Sequence, residues 1–217
     1  MTGRRVTGDR LTGQPSTRAL VVLALLGGCS NLFAATATSD LADQIRASLS
    51  AHPAVSGDFT QRRTVPGLQS AQTSNGTFVF VRSEALAWSV TAPIQSTIAY
   101  GRRASTKGSN SRVNRMVLRL MSAQILNDDA FEKSISGTAA DWQLALTPRV
   151  AALSRHLTSV SISGGDHVRR LSIRMRDDDV TNIDFSNVSP RQQLDVTTCR
   201  LMGLQSGVCD SDHDSQH

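Results

Sequence analysis

Thr77, Val79 and Val81 alternate with Phe78 and Phe80, and after a break at Arg82-Ser83-Glu84 a second β-rich run passes from Leu86 through Trp88 and Val90. A period of two on each arm, with turn residues between, predicts an antiparallel hairpin from Asn75 to Pro93. Upstream, Val55, Gly57, Phe59 and Gln61 fall on one side of a strand that Pro66-Gly67 ends in a turn. Ile94 to Tyr100 makes a fourth strand once Pro93 has broken the third. Four consecutive strands joined by short turns predict an antiparallel meander.

The period changes on either side of this block. Leu41, Ile45 and Leu49 recur at helical spacing, with Ser39 or Asp40 as cap and His52-Pro53 as terminator, so a short helix with one apolar stripe precedes the meander. After Arg119, Leu120, Met121, Ile125 and Leu126 continue an apolar helical face begun at Val117 and Leu118, and Asp128-Asp129-Ala130-Phe131 starts a further short helix or turn. Alternation returns at Trp142 to Leu146, ended by Pro148, and again at Leu157 to Ser163, Val168 to Met175 and Val180 to Asn187. Gly164-Gly165-Asp166 and Asp177-Asp178-Asp179 join these last strands. The triple Asp is open to a cation site, but hairpin turns favour Asp for backbone reasons, and the turn is preferred. Beyond Pro190 a short element spans Leu194 to Leu204, followed by an acidic tail, and no internal repeat is evident.

Composition narrows the class. In 217 residues with 39% hydrophobic and only 4% aromatic content, one core of Val, Leu, Ile and Ala is expected rather than a base-stacking platform. Arg4, Arg5, Arg10 and Arg18 precede an apolar run from Ala19 to Leu26 and then small residues ending in Ala35-Thr36-Ala37. That is the order of an export signal, with an apolar run too short to span a bilayer. Cleavage after Ala37 gives a soluble periplasmic protein. Cleavage before Cys29, in the lipobox-like Leu26-Gly27-Gly28-Cys29, gives one lipidated at Cys29 and anchored to a membrane. The expected organisation is a signal over 1–37 (or 1–28), one domain over 38–205 and a polar acidic tail over 206–217.

Removing residues 1–37 leaves 19 basic against 17 acidic residues, so charge does not argue for nucleic acid. Gly101 to Arg119 holds Arg102, Arg103, Lys107, Arg112, Arg115 and Arg119 with no acidic residue, which reads as a basic loop or a poorly formed hairpin, with a solvated run preferred over a site for anionic headgroups. Cys199 and Cys209 are the thiols left by either cleavage, and in an exported protein they pair in a disulfide closing a short C-terminal loop. No metal-ligand spacing, nucleophile elbow, phosphate loop or dinucleotide fingerprint is present. No catalytic residue, metal or cofactor is therefore expected, although a hydrolase whose triad assembles only through space stays open.

Gly57-x-Phe59-x-Gln61, Gly76-x-Phe78-x-Phe80-x-Arg82, Leu86-x-Trp88 and Pro93, followed by Trp142-x-Leu144-x-Leu146-x-Pro148 and Ile183-x-Phe185-x-Asn187, resemble the LolA family of periplasmic outer-membrane lipoprotein carriers. The resemblance spans about Leu41 to Asn187. It implies an α+β fold, a strongly curved antiparallel sheet forming an unclosed half-barrel, with helices covering its concave face over a hydrophobic cavity that shields acyl chains. Burying each CH₂ contributes about 0.8 kcal/mol.

It further implies Phe59, Phe78, Phe80, Leu86, Trp88, Ile98, Leu118, Met121 and Trp142 as cavity lining or core, and Arg82 as a latch on the backbone of the lid. The implied partners are an acylated lipoprotein or other lipid-linked cargo, an inner-membrane release complex and an outer-membrane acceptor, met by a monomer without covalent chemistry. Two departures stand out: Ser83 replaces the family's Pro after that Arg, and the basic run replaces an aromatic-rich strand after Tyr100. Cys29 resembles the lipid-anchored acceptor of the same fold rather than the soluble carrier.

Overall fold

The computed structural model describes residues 32–101, 118, 120–205 and 207–209, with side chains of the first helix from Asp40 onward. The export signal with Cys29, the basic run apart from Gly101 and Leu118, and the acidic tail from Asp210 lie outside these residues. The described chain runs α1 (Leu32–Leu49), β1 (Ala54–Thr64), β2 (Gln72–Val81), β3 (Ala85–Ala92), β4 (Ser96–Gly101), a 3₁₀ helix (Ala123–Asn127), β5 (Phe131–Thr138), β6 (Asp141–Pro148), α2 (Ala151–Ser154), β7 (Leu157–Gly164), β8 (Val168–Met175), β9 (Val180–Arg191) and α3 (Val196–Met202). All nine strands form one curved, unclosed antiparallel sheet in the order β4-β3-β2-β1-β9-β8-β7-β6-β5. Two meanders are thus joined by the first and last strands.

Gly57 explains how that junction closes. The β1–β9 register shifts between Ser56 and Asp58, and a Cβ on Gly57 would come within 2.8 Å of the Ser186 carbonyl oxygen and 3.0 Å of the Phe78 ring. A bulge of this kind needs a residue without a side chain. Asn187 donates to Asp58 at 2.7 Å and Arg191 donates to the Ser56 hydroxyl at 2.7 Å along the same seam. At the opposite end Arg63 donates to the buried Asp179 carboxylate, and this bond raises the Arg63 pKa further. The Asp177 side chain accepts from the Asp179 amide, so the acidic triplet builds the β8–β9 turn. Among the described residues no cluster of His, Cys, Asp or Glu is arranged to hold a metal.

One sheet face carries the main core: Phe59, Phe78, Phe80, Leu86, Trp88 and Tyr100 from the first meander, Trp142, Leu144, Leu146, Val160, Ile162, Leu171, Ile173, Ile183 and Phe185 from the second. Ile45 of α1 and Ile125 and Leu126 of the 3₁₀ helix close over it. The other face of β2–β4 carries Val81, Ala85, Ala87 and Ala99, which leave room for Leu194, Cys199, Met202 and Val208. The Cys199–Cys209 disulfide, Cα atoms 6.0 Å apart, holds that C-terminal piece, and the Asp195 side chain caps α3 by accepting from the Thr198 amide at 2.8 Å.

Several boundaries differ from expectation. The first helix begins at Leu32, ahead of the expected Ser39 or Asp40 cap. The apolar run around Leu118 to Leu126 is not one helix; Ser122 interrupts it and caps the 3₁₀ helix through its hydroxyl. Phe131 opens a ninth strand, β5, whose Glu132-Lys133-Ser134-Ile135-Ser136 is too polar to announce itself. Ile94 stands exposed in the β3–β4 turn, and β4 starts at Ser96. Strand β9 runs through Pro190 to Arg191, because beyond Asp184 β9 pairs with β1 alone and the missing N–H of Pro190 is tolerated there.

Candidate functional site

The site is assembled from an aromatic floor and a two-part lid. Phe59 pairs with Gly76 across the β1–β2 ladder, and the missing side chain at Gly76 lets the Phe59 ring reach Trp88 on β3, with ring centroids 3.7 Å apart. Phe185, opposite Phe59 on β9, stands edge-on to Phe78 at 5.1 Å and to Trp88 at 6.2 Å. Four strands therefore contribute to one ring cluster, and such pairs add about 0.5–1.5 kcal/mol each beyond the area they bury.

All nine residues expected to line the cavity fall in this one cluster: Phe59, Phe78, Phe80, Leu86, Trp88, Met121 and Trp142 buried, Ile98 and Leu118 half-buried against it. Trp142 lies on β6, and its indole N–H donates to the Gly165 carbonyl at 2.9 Å. The expected set omits Phe185, Leu144, Leu146, Ile162, Leu171 and Ile173. The period of two in their strands marks them as one face, but gives no reason to place the second meander opposite the first.

The lid consists of α1 and the 3₁₀ helix. Leu41, Ile45 and Leu49 point one stripe at the core, and Arg46 donates to Asn127 at 3.3 Å, tying the two parts together. Below α1 a cavity of about 40 Å³ is lined by Ser48, Leu49, His52, Val55, Phe78, Phe80, Met121, Asp166, His167, Val168 and Val188. That is room for a few water molecules and not for an acyl chain, so anything longer enters only if the lid shifts. Burial and the neighbouring Arg169 lower the His167 pKa, with Asp166 opposing.

Arg82 sits where the β2–β3 turn meets the connection between α1 and β1. Its guanidinium donates to the His52 carbonyl and its amide donates to the Pro53 carbonyl at 3.0 Å. His52 lies three residues past Leu49, the last residue of α1, so the guanidinium grips the backbone of the connection between α1 and β1 and not a carbonyl of the helix itself. Ser83, next in the turn, has φ of +58°. Proline, locked near −65°, cannot adopt that conformation, so this turn has a shape the family's usual residue would not permit.

Among the described residues no helix is long and apolar enough to cross a membrane. No curated protein matches the chain. Among solved structures it is similar to a LolA superfamily protein from Nitrosomonas europaea, at 10% identity and TM-score 0.41, over 72% of this chain and 94% of that one. Others are the MucA/MucB complex of Pseudomonas aeruginosa (10% identity, TM-score 0.38, 70% of this chain and 56% of that one) and a DUF1329 family protein from Desulfovibrio piger (12%, 0.34, 73% and 94%). The family model for the outer membrane lipoprotein carrier protein LolA matches residues 51–198, from just past α1 into α3. The match takes in all nine strands, the Arg82 turn and the aromatic floor, and the chain belongs to the LolA family.

Proposed function

We propose that this protein is a periplasmic carrier that takes the acyl chains of a lipoprotein or other lipid-linked cargo between the aromatic floor and the lid, and moves it towards the outer membrane without covalent chemistry. The observation that carries the reading is the Arg82 contact at the root of the lid. An apolar interior is covered by α1, and Arg82 holds the connection that leads from this helix into β1 through a polar bond to the His52 carbonyl, so closing and filling the site compete. Phe59, Phe78, Phe80, Leu86, Trp88, Ile98, Leu118, Met121 and Trp142 are the surfaces a released lid would offer to an acyl chain.

The competition sets a sign. If the closed state excludes cargo, apparent affinity falls with the fraction of molecules that are open, and removing the latch raises it. An exposed charge-assisted bond of about 1.5 kcal/mol corresponds to about a tenfold change. Arg82→Leu is expected to bind a fluorescent fatty acid about tenfold more tightly and to release it more slowly. Native mass spectrometry of the purified protein should find an acylated ligand; no copurifying lipid and no probe uptake would overturn the carrier reading.

A second reading rests on Leu26-Gly27-Gly28-Cys29. Lipidated there, the same fold would be an anchored acceptor of cargo, and incorporation of a palmitate analogue that is lost in Cys29→Ala would select it.

A further inference from the structure

The β2–β3 turn touches both the root and the second part of the lid. Besides Arg82 on the connection between α1 and β1, the Ser83 hydroxyl accepts a hydrogen bond from the Gln124 side-chain amide at 3.2 Å, and Gln124 belongs to the 3₁₀ helix. Ser83 makes this contact from the left-handed region, at φ +58°. Of the three described non-glycine residues with positive φ, the other two are Asp178 and Asn187, types that tolerate the conformation. Glycine would relieve the backbone at position 83 but would bring no hydroxyl, and proline could not take the shape. A serine held there against its preference has a partner to account for it, and that partner is on the second half of the lid.

From this juxtaposition we infer that Ser83 and Gln124 are positioning residues that form a second closing contact, holding the 3₁₀ helix over the cavity while Arg82 holds the connection from α1 into β1. The inference rests on the carrier reading for its consequence, and on geometry alone for the contact. Met121, which lines the cavity, and Ile125 and Leu126, which cap the core, flank Gln124 in sequence. Whatever frees the glutamine therefore frees apolar side chains lying over the aromatic floor. One turn, at residues 82 and 83, thus bears on the 3₁₀ helix and on the root of α1, and Arg46 to Asn127 couples the two parts of the lid.

The test uses the full chain with a fluorescent fatty acid as probe, together with hydrogen exchange measured without any ligand. Ser83→Gly keeps the turn and deletes the hydroxyl, and Gln124→Ala removes the partner from the other side. Each is expected to raise probe affinity two- to fivefold and to speed exchange of the Ile125 and Asp128 amides, which bond within the 3₁₀ segment. The double variant should exceed neither single one, and Ser83→Asn, which tolerates the left-handed backbone and keeps a side-chain acceptor, should stay closer to wild-type values than Ser83→Gly. Unchanged exchange in both single variants, or effects of the two that multiply, would overturn the contact. If exchange responds as expected but the wild type takes up no probe, the second contact stands and the carrier reading fails. Probe uptake by all variants with wild-type exchange and affinity leaves the carrier reading standing and removes this contact.

Discussion

Gly76→Ala is a severe test of how the cavity wall is built. A Cβ at this position would lie 1.9 Å from the Ser89 carbonyl oxygen and 2.9 Å from Cε1 of Phe59. The first of these neighbours is backbone, so no rotamer change relieves it; β2 and β3 must part by about 1.5 Å to restore an ordinary contact. Parting them weakens the ladder around Thr77 and Ser89 and lifts Phe59 off Trp88. Overpacking costs about 1–3 kcal/mol, and a lost ladder bond adds about 1 kcal/mol, so a loss of roughly 3 kcal/mol is expected. For a domain of this size that lowers Tm by about 6–12 °C.

The assay is urea and thermal unfolding followed by far-UV dichroism, with near-UV dichroism reporting the Phe59–Trp88 stack. Gly67→Ala is the control: Gly67 has positive φ, at +86°, which Gly76 has not, but its Cβ would meet nothing within 4 Å, so only the backbone cost of about 1 kcal/mol applies. If Gly76→Ala costs no more than Gly67→Ala, the close approach of β3 and Phe59 at Gly76 is not what fixes the glycine.

Other expectations concern the supports around the wall. Replacing Cys199 and Cys209 together by Ser opens a loop with a sequence separation of 10 and should cost about 2–3 kcal/mol, read as a Tm that falls on adding reductant to the wild type but not to the variant. Trp142→Phe leaves the Gly165 carbonyl without its indole donor and should cost about 1–3 kcal/mol in urea unfolding. The His167 pKa is lowered in the folded state, so the unfolded chain binds the proton more readily. Its contribution is complete above the unfolded value near 6.5 and is lost as pH falls below it. Unfolding midpoints from pH 7.5 to 5 should therefore decline less in His167→Gln than in the wild type.

Much of the first meander was legible because its strands alternate strongly and its turns carry Pro66-Gly67 and Pro93. Phe78, Phe80, Leu86 and Trp88 then share a face by period alone. Which face looks inward does not follow from alternation, since Val79, Val81, Ala85 and Ala87 on the other side are apolar too. The structure resolves that ambiguity by size: aromatics meet α1, and alanines meet α3 and the disulfide. Strand β5 was hidden because an edge strand buries little, Phe131 apart, and its polar residues satisfy no hydrophobic period. Phe185 entered as a motif residue only, because its place against Phe78 and Trp88 depends on β9 returning to β1 across the whole chain. Ser83 was visible as a substitution, but its left-handed backbone and its glutamine partner belong to the folded turn.

The pairing of β1 with β9 also imposes a timetable. As the chain emerges from its N-terminus, β1 through β4 can form a sheet, and β5 through β8 another, yet each keeps an unfilled edge in what will become the middle of the molecule. Bonds such as Asn187 to Asp58 and Arg191 to Ser56 link residues separated by 129 and 135 positions, so they form only when nearly all of the chain has been made. Contacts this distant in sequence slow folding. The floor shared by Phe59 and Phe185 is therefore among the last parts of the protein to exist, and a chain stopped before β9 would carry two half-sheets with no site between them.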